Sequence, residues 1–207
     1  MESGSIDGWL EALASAAPAP GGGGAAALQV AMGAALVEMV CNLTAGRPAY
    51  AEHEDAVKAI LAEAGELRAN GLELVEEDAE AFEAVIAAYR LPKDTDADAA
   101  ARREAIETAS LDAAEVARSC AASAARVIEL AEQIVPVGNP NVISDAAAGA
   151  AAARAALQTS LLNIEANVAS LSQAAIREPF TSYAAHLAEF LGRADSVVES
   201  VRARAAG

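Results

Sequence analysis

Aromatic residues are scarce in this sequence. Phenylalanine, tyrosine and tryptophan make up 3% of its 207 residues, although hydrophobic residues reach 54%. A core with so few aromatic rings must be filled by alanine, leucine, valine and isoleucine, and close alanine packing favours helices that lie near one another. A chain of this length can bury a substantial core in one domain. We therefore expect a single all-α domain over residues 1–207.

Cationic residues are also few, with 14 lysines and arginines against 30 acidic residues and a net charge of −16. Nucleic acids and anionic membrane surfaces would be repelled by such a chain. The charge therefore predicts that neither is a partner. An anionic ligand would need a local cationic patch.

Cysteine is nearly absent as well. Cys41 and Cys120 are the two present, and both lie within helical patterns without CxxC spacing. They are typical of small core residues in a reducing compartment. The first residues are acidic, where a secretory signal would be basic. We expect a cytoplasmic protein with no disulfide and no metal.

One stretch is rich in glycine. Four consecutive glycines follow Pro18-Ala19-Pro20 and open an apolar helix that extends to about Leu43: Gly21, Gly22, Gly23 and Gly24. Such a run leaves backbone N–H groups unshielded at a helix N-terminus, where the helix dipole attracts anions. The alternative interpretation is that this Pro/Gly cluster is only a turn.

The helix after the glycines raises the question of a membrane span, because about 20 apolar residues are enough to cross a bilayer. Gln29 and Glu38 interrupt this run. A central acid costs ~2.5 kcal/mol or more in lipid. We expect a buried helix of a soluble protein.

The remaining pattern is also helical. A short amphipathic helix over 5–16 is expected to pack as a lid on the main body, and a sixth helix is predicted over 180–204. Two helices are predicted over 50–90 and 96–135, each about 60 Å long at ~1.5 Å per residue. Helices of this length indicate an up-and-down bundle of long antiparallel helices.

Asp78 interrupts the apolar stripe of the long helix over 50–90, where the other positions suit a core. A carboxylate on a packed face is costly unless it is neutral or has partners. Asp78 is therefore either a functional group or a residue at the edge of the stripe, among neighbouring glutamates.

A second loop, with Asn139 and Asn141, leads through Ser144 into a fifth helix whose first turn contains Asp145. The helix dipole favours an acid at that position whatever its chemistry. Further along the same helix, Asn163 and Asn167 are four residues apart and share a face. Buried amides need partners, so these two either join helices or contact a ligand.

Together these segments resemble the folate cyclodeaminase/cyclohydrolase family, which includes the C-terminal domain of formiminotransferase-cyclodeaminase and stand-alone methenyltetrahydrofolate cyclohydrolases. The resemblance covers nearly the whole chain and rests on PAPGGG at 18–23, MVCNLT at 39–44, the segment 78–82 with LPK at 91–93, GNPN at 138–141 and SD at 144–145. It implies an all-α homodimer with a ligand site near the glycine loop. It also implies a tetrahydrofolate derivative as substrate and no metal.

Two departures from the family pattern concern ligand contacts. The chain has Gly24 where the family usually has serine, and Arg47 lies in a segment that is usually rich in lysine. Arg47, Arg90 and Lys93 are then the cations left to meet the glutamate tail of a folate. Our predicted substrate-binding residues are Gly21, Gly22, Gly23, Gly24, Asn42, Thr44, Arg47, Lys93, Asn139, Asn141, Ser144 and Asn163.

The implied chemistry is either cyclodeamination of 5-formiminotetrahydrofolate to 5,10-methenyltetrahydrofolate with loss of ammonia, or hydrolysis of the methenyl compound to 10-formyltetrahydrofolate. Both need a shielded carboxylate that stabilises a cationic amidine and moves a proton. We assign proton transfer to Asp145 and a supporting role to Asp78, with the reverse assignment left open. The alternative function is a non-catalytic scaffold of the same family, or an enzyme for a non-folate amidine.

Overall fold

The computed structural model describes residues 5–206, which are helical and contain no strand. The helices are α1 (Ile6–Leu13), α2 (Gly22–Asn42), α3 (Glu54–Tyr89), α4 (Asp96–Ile134), α5 (Ile143–Val168), α6 (Ala174–Leu187) and α7 (Glu189–Ala206), with a 3-10 helix over Pro48–His53. The prediction of an all-α protein is confirmed.

Helices α2 and α5 cross at a contact between two glycines. A Cβ on Gly33 would lie 2.8 Å from the carbonyl oxygen of Gly149, and a Cβ on Gly149 would lie 2.8 Å from the carbonyl oxygen of Gly33. Only residues without a side chain allow this close approach of the two backbones. The surrounding core is built largely from alanine and valine, as the shortage of aromatic residues predicts.

Polar contacts join α3 to α4. The Arg126 guanidinium donates hydrogen bonds to the Glu63 carboxylate, and the Ser123 hydroxyl donates to Oδ1 of Asn70 at 2.9 Å. Arg126 also donates to Glu129, which in turn accepts a hydrogen bond from Arg193 of α7. This network ties the C-terminal helix α7 to α4, which is itself bonded to α3.

Two helices differ from the sequence prediction. No Cα of α1 lies within 8 Å of a Cα in another described helix, and Ile6 is 79% exposed, so its expected role as a lid on the body is not seen in a single chain. The C-terminal segment is helical from Ala174, earlier than predicted, and is interrupted at Ala188. Pro179 lies inside this helix rather than before it.

Helix α2 is the one described helix that is long and apolar enough to cross a membrane, judged by length and composition alone. Its most apolar window is 56% buried inside the chain. Burial of this kind is typical of a core helix.

Candidate functional site

A cavity of about 230 Å³ lies where the N-terminus of α2 meets α3, α4 and α5. It is lined by Pro18, Ala19, Gly21, Gly22, Gly23, Asp78, Phe82, Ala113, Asn163, Ala166 and Asn167. The structure therefore brings together three of the predicted glycines, Asp78 and Asn163. A wider groove on the outer side of the α3–α4 pair is lined mostly by alanines.

Asp78 caps helix α2 from a neighbouring helix. The residue at the N-cap position of α2 is Gly21, which has no side chain to accept a hydrogen bond from the first turn. The Asp78 carboxylate accepts the Gly24 N–H instead. A carboxylate at this position is favoured by the helix dipole and satisfies one of the free backbone donors.

Gly23 makes this approach of the carboxylate possible. A Cβ built on Gly23 would lie 1.8 Å from Oδ1 of Asp78 and 2.5 Å from its Cγ. The carboxylate therefore occupies the space that any side chain at position 23 would need. A glycine at position 23 is therefore required for Asp78 to adopt this position. At Gly22 the situation differs, because a Cβ added there would lie 3.8 Å from Cγ2 of Thr159, an ordinary van der Waals contact.

Burial raises the pKa of the Asp78 carboxyl above its ordinary value, and the Gly24 N–H opposes this rise by stabilising the charged form. Behind Asp78, burial raises the pKa of the Cys120 thiol to about 11, and this thiol is hydrogen-bonded to Ser160. Ser160 donates its own hydroxyl to the carbonyl oxygen of Ala156. Asp78 thus has a raised proton affinity on the floor of a cavity, as general acid-base catalysis requires.

The opposite wall of the cavity comes from one face of α5. Asn163 and Asn167 are half-buried and lie one turn apart, so both amides can offer donors and acceptors to a ligand. Phe82 lies one turn beyond Asp78 and is 43% exposed. Phe82 is one of the positions of the apolar stripe on α3 that suit a core, but in the structure it lines the cavity.

Thr44 and Asn139, both predicted to bind ligand, are placed differently by the structure. Thr44 is fully buried; its hydroxyl donates to the Val40 carbonyl oxygen and accepts the Asn139 N–H. Asn139 is 3% exposed, and its Nδ2 donates to the Leu43 carbonyl oxygen. Because these groups are used within the chain, both residues anchor the second loop to the end of α2, and their assignment as ligand contacts stays a prediction.

The second loop and Asp145 do not reach the cavity within one chain. Asp145 and Asn163 are separated by about 27 Å along α5, at ~1.5 Å per residue. Ser144 and Asn141 are exposed at the Asp145 end of the helix. The expected single pocket, shared by the glycine loop and Asp145, is therefore not formed by one copy of the chain.

The predicted cationic residues are exposed. Arg47 lies beyond the C-terminus of α2, and Lys93 lies in the turn between α3 and α4. Asn42 is exposed at the last position of α2. None of these three lines the cavity. Gly24 does not line it either, because it is buried beneath Asp78.

The part of the chain that builds the cavity lies within a segment that matches a known family. The model of the Formiminotransferase-cyclodeaminase family matches residues 5–186, which include the glycine loop, Asp78 and both asparagines. The chain belongs to this family. The resemblance found in the sequence is thereby confirmed.

Relatives of this member of the formiminotransferase-cyclodeaminase family carry two names. A protein of Methylorubrum extorquens named methenyltetrahydrofolate cyclohydrolase is 46% identical over 173 residues, which cover 84% of this chain and 83% of that protein. Formimidoyltransferase-cyclodeaminase of Sus scrofa is 31% identical over 170 residues, but this chain spans only 31% of its length.

A solved structure of the same family has the same fold. The crystal structure of formiminotetrahydrofolate cyclodeaminase from Thermotoga maritima matches with a TM-score of 0.84 and 25% identity. The match covers 97% of this chain and 98% of that one. The arrangement of helices that builds the cavity is thus an arrangement this family uses.

Proposed function

We propose that this protein hydrolyses 5,10-methenyltetrahydrofolate to 10-formyltetrahydrofolate, and that Asp78 is the proton-transfer group. One observation carries the proposal: a carboxylate with a raised pKa lies on the floor of a cavity whose walls offer amides and an aromatic ring. The name of the relative from Methylorubrum extorquens supports the same reaction. This assignment exchanges the roles that the sequence suggested for Asp78 and Asp145.

The reaction can be written with Asp78 as the base. A water oxygen forms a bond to the methenyl carbon, the π electrons of the C=N bond move to nitrogen, and the water proton goes to the Asp78 carboxylate. The resulting tetrahedral centre collapses as its C–N5 bond breaks, its hydroxyl proton is released and N5 takes up a proton. The product carries the formyl group on N10.

The charge of the substrate favours an acidic cavity. The methenyl bridge is a cationic amidinium, so an ionised Asp78 attracts it and stabilises its orientation. The raised proton affinity of Asp78 also makes it a better base than an exposed aspartate. The electrostatics of the site therefore suit both binding and proton transfer.

Cyclodeamination is the second candidate function. In that reaction N10 attacks the carbon of the protonated formimino group on N5, the proton of N10 moves to the formimino nitrogen, and ammonia leaves as the cationic methenyl bridge forms. The name of the Thermotoga maritima structure favours it, and one carboxylate can serve both tetrahedral centres. Assays with both substrates distinguish the two reactions.

The size of the cavity indicates how much of a folate it holds. Pockets for drug-sized ligands usually measure about 300–1,000 Å³. The cavity beside Asp78 is about 230 Å³. We infer that it takes the pterin and the bridging carbon, while the aminobenzoyl-glutamate part lies outside, where Arg47 and Lys93 are candidates for its carboxylates.

Assembly into a homodimer would supply the missing walls. The contacts of α3 with α4 pair low residue numbers with high ones, as Glu63 with Arg126 and Asn70 with Ser123, which supports an antiparallel up-and-down bundle. On its outer side, α2 exposes an apolar stripe that includes Met32 at 53%. We infer that a second copy covers this stripe.

The position of Met32 suggests how the two copies meet. Met32 is ten residues from both Gly22 and Asn42, the two ends of α2. A two-fold axis near Met32 would lay the α2 helices antiparallel and bring the Asn42 end of one copy beside the Gly22 end of the other. The partner's Arg47 and Asn141 would then approach the cavity that one chain leaves open.

Other properties follow from the same proposal. Among residues 5–206, no three histidine, cysteine or acidic side chains are grouped to hold a metal ion, and the proposed chemistry uses none. We also propose a cytoplasmic protein, because Cys41 and Cys120 are both free and buried. Its net charge of −16 supports the proposal that it binds neither nucleic acid nor membrane.

The test is an assay of the purified protein with 5,10-methenyltetrahydrofolate, followed by loss of its near-ultraviolet absorbance. A parallel assay with 5-formiminotetrahydrofolate measures ammonia release. Hydrolysis that is lost in Asp78→Asn supports the proposal. Binding of folate without either reaction would support a scaffold, and hydrolysis at the full rate in Asp78→Asn would overturn the role of Asp78.

A further inference from the structure

The neighbouring glycines Gly23 and Gly24 have different surroundings. Gly23 has no room for a side chain, since its Cβ would lie 1.8 Å from Oδ1 of Asp78. Gly24 has room: a Cβ there would lie 3.7 Å from Oδ2 of Asp78, 3.7 Å from Cβ of Pro20 and 3.9 Å from Cγ1 of Val75. These are ordinary van der Waals distances, so sterics alone do not explain glycine at position 24.

The space at Gly24 faces the buried side of the Asp78 carboxylate. Gly24 is itself buried and does not line the cavity. A hydroxyl carried by a Cβ at this point can lie one bond closer to Oδ2, within hydrogen-bonding distance. Position 24 is thus a place from which a side chain could donate to Asp78 without touching the ligand.

Within residues 5–206, the hydrogen bond that Asp78 accepts comes from the backbone N–H of Gly24. We propose that Gly24 is a positioning residue, whose lack of a side-chain donor leaves the Asp78 carboxylate free to take a proton from water. This inference rests on the proposed function. The residue at position 24 then determines how readily the Asp78 carboxylate accepts a proton.

The groups around Asp78 carry no charge that would obscure an influence of position 24 on its protonation. The first turn of α2 contains no charged residue, and α5 presents the neutral amides of Asn163 and Asn167. From α4 the nearby titratable group is the Cys120 thiol, which stays protonated at neutral pH because burial raises its pKa to about 11. On α3 itself, Glu77 and Glu80 are exposed.

The experiment compares Gly24→Ser with Gly24→Ala. Both add the same Cβ, but only serine adds a donor. In the pH profile of kcat/KM for hydrolysis, we expect the low-pH midpoint of Gly24→Ser to move to lower pH and its plateau rate to fall about tenfold, because the donor favours the charged form of Asp78. The midpoint of Gly24→Ala stays at or above that of the wild type.

Coinciding midpoints in the two variants would overturn the inference while the proposed function stands. If the serine variant does not fold, a midpoint of Gly24→Ala below that of the wild type has the same consequence.

A second measurement needs no turnover. Gly24→Ser should be more thermally stable than Gly24→Ala at pH 7, and this difference in stability should shrink in acid as Asp78 is protonated. Equal Tm values at both pH values would also contradict it. A wild type without hydrolase activity would instead contradict the proposed function.

Discussion

The Asp78 carboxylate caps a helix to which it does not belong, and it occupies the space left by the missing side chain of Gly23. A Cβ at Gly23 would lie 1.8 Å from Oδ1 of Asp78, and the carboxylate accepts the N–H of Gly24. One aspartate is therefore held by backbone on one side and open to a cavity on the other. A carboxylate fixed in this way has the defined orientation that a catalytic base needs.

Gly23→Ala is expected to displace this carboxylate. The added Cβ cannot coexist with Oδ1, so Asp78 must rotate or α2 must shift. A displacement of about 1 Å costs on the order of 100-fold in rate, and we expect a loss of that size in kcat. The matched variant Gly22→Ala adds a Cβ at an ordinary 3.8 Å contact and should lose much less. Equal losses would show that seating Asp78 is not the role of Gly23.

Asp78→Asn should lose activity and gain stability at neutral pH. The pKa of Asp78 is raised above 3.8, so the folded chain holds this proton more tightly than the unfolded chain. Its contribution to stability is fully present below 3.8 and is lost as the pH rises through the raised pKa. We expect hydrolysis to fall by 10²–10⁴-fold, whereas Tm at pH 7 exceeds that of the wild type and the difference narrows in acid. A variant less stable than the wild type at pH 7 would indicate a purely structural cap.

The fold followed largely from the sequence because helical periodicity and alanine packing are local properties. The stripe through Asp78 was recognised by its spacing, and the glycine run by its composition. Phe82 was missed as a site residue, because the same spacing describes a core position and a cavity wall. Its distance of one turn from Asp78 was the signal that could have found it.

The second loop could not be placed from the sequence. Asn139 and Thr44 are hydrogen-bonded to each other although they are 95 residues apart in the sequence. The residues next to either one therefore do not reveal whether it anchors the loop or contacts a ligand. Asp145 was grouped with Asp78 by its chemistry and by the family resemblance of its loop. The direction of α5 separates the two, and direction is a property of the assembled bundle.

Thr44→Val tests whether Thr44 anchors this loop or contacts the ligand. Valine matches the volume of threonine but removes the acceptor for the buried Asn139 N–H, which lies 3.0 Å from Oγ1. An unsatisfied buried donor costs about 1–3 kcal/mol. We expect a Tm lower by roughly 2–4 °C per kcal/mol, measured by calorimetry. An unchanged Tm together with a raised KM for folate would restore Thr44 to the ligand site.

The contact between Gly33 and Gly149 should be sensitive to a single methyl group. In Gly149→Ala the new Cβ would lie 2.8 Å from a backbone oxygen that cannot rotate away, so α2 and α5 must separate. Overpacking of this kind costs about 1–3 kcal/mol. Gly192→Ala is the control, because nothing lies within 4 Å of its Cβ, and it should gain about 0.5–1 kcal/mol from helix propensity. Urea denaturation of both variants measures the difference, and a Gly149→Ala variant as stable as Gly192→Ala would contradict the close crossing.

Met32→Glu should separate the proposed dimer into monomers. Met32 is 53% exposed at the middle of the apolar stripe on α2, and a charge placed there by both copies is repelled and desolvated on association. Light scattering after gel filtration should give one chain mass for this variant and two for the wild type. Leu91→Glu adds the same charge at another exposed apolar residue, far from α2, and should keep the wild-type mass.

The same variant also tests whether the partner completes the site. If the partner's Arg47 and Asn141 border the cavity, Met32→Glu loses turnover at least about tenfold while Leu91→Glu does not, because interactions with the substrate worth ~1.4 kcal/mol or more are removed. A monomeric Met32→Glu with full activity would show that the cavity beside Asp78 works within one chain. If Met32→Glu is still a dimer, the interface lies elsewhere, and a second copy of the chain does not cover the apolar stripe of α2.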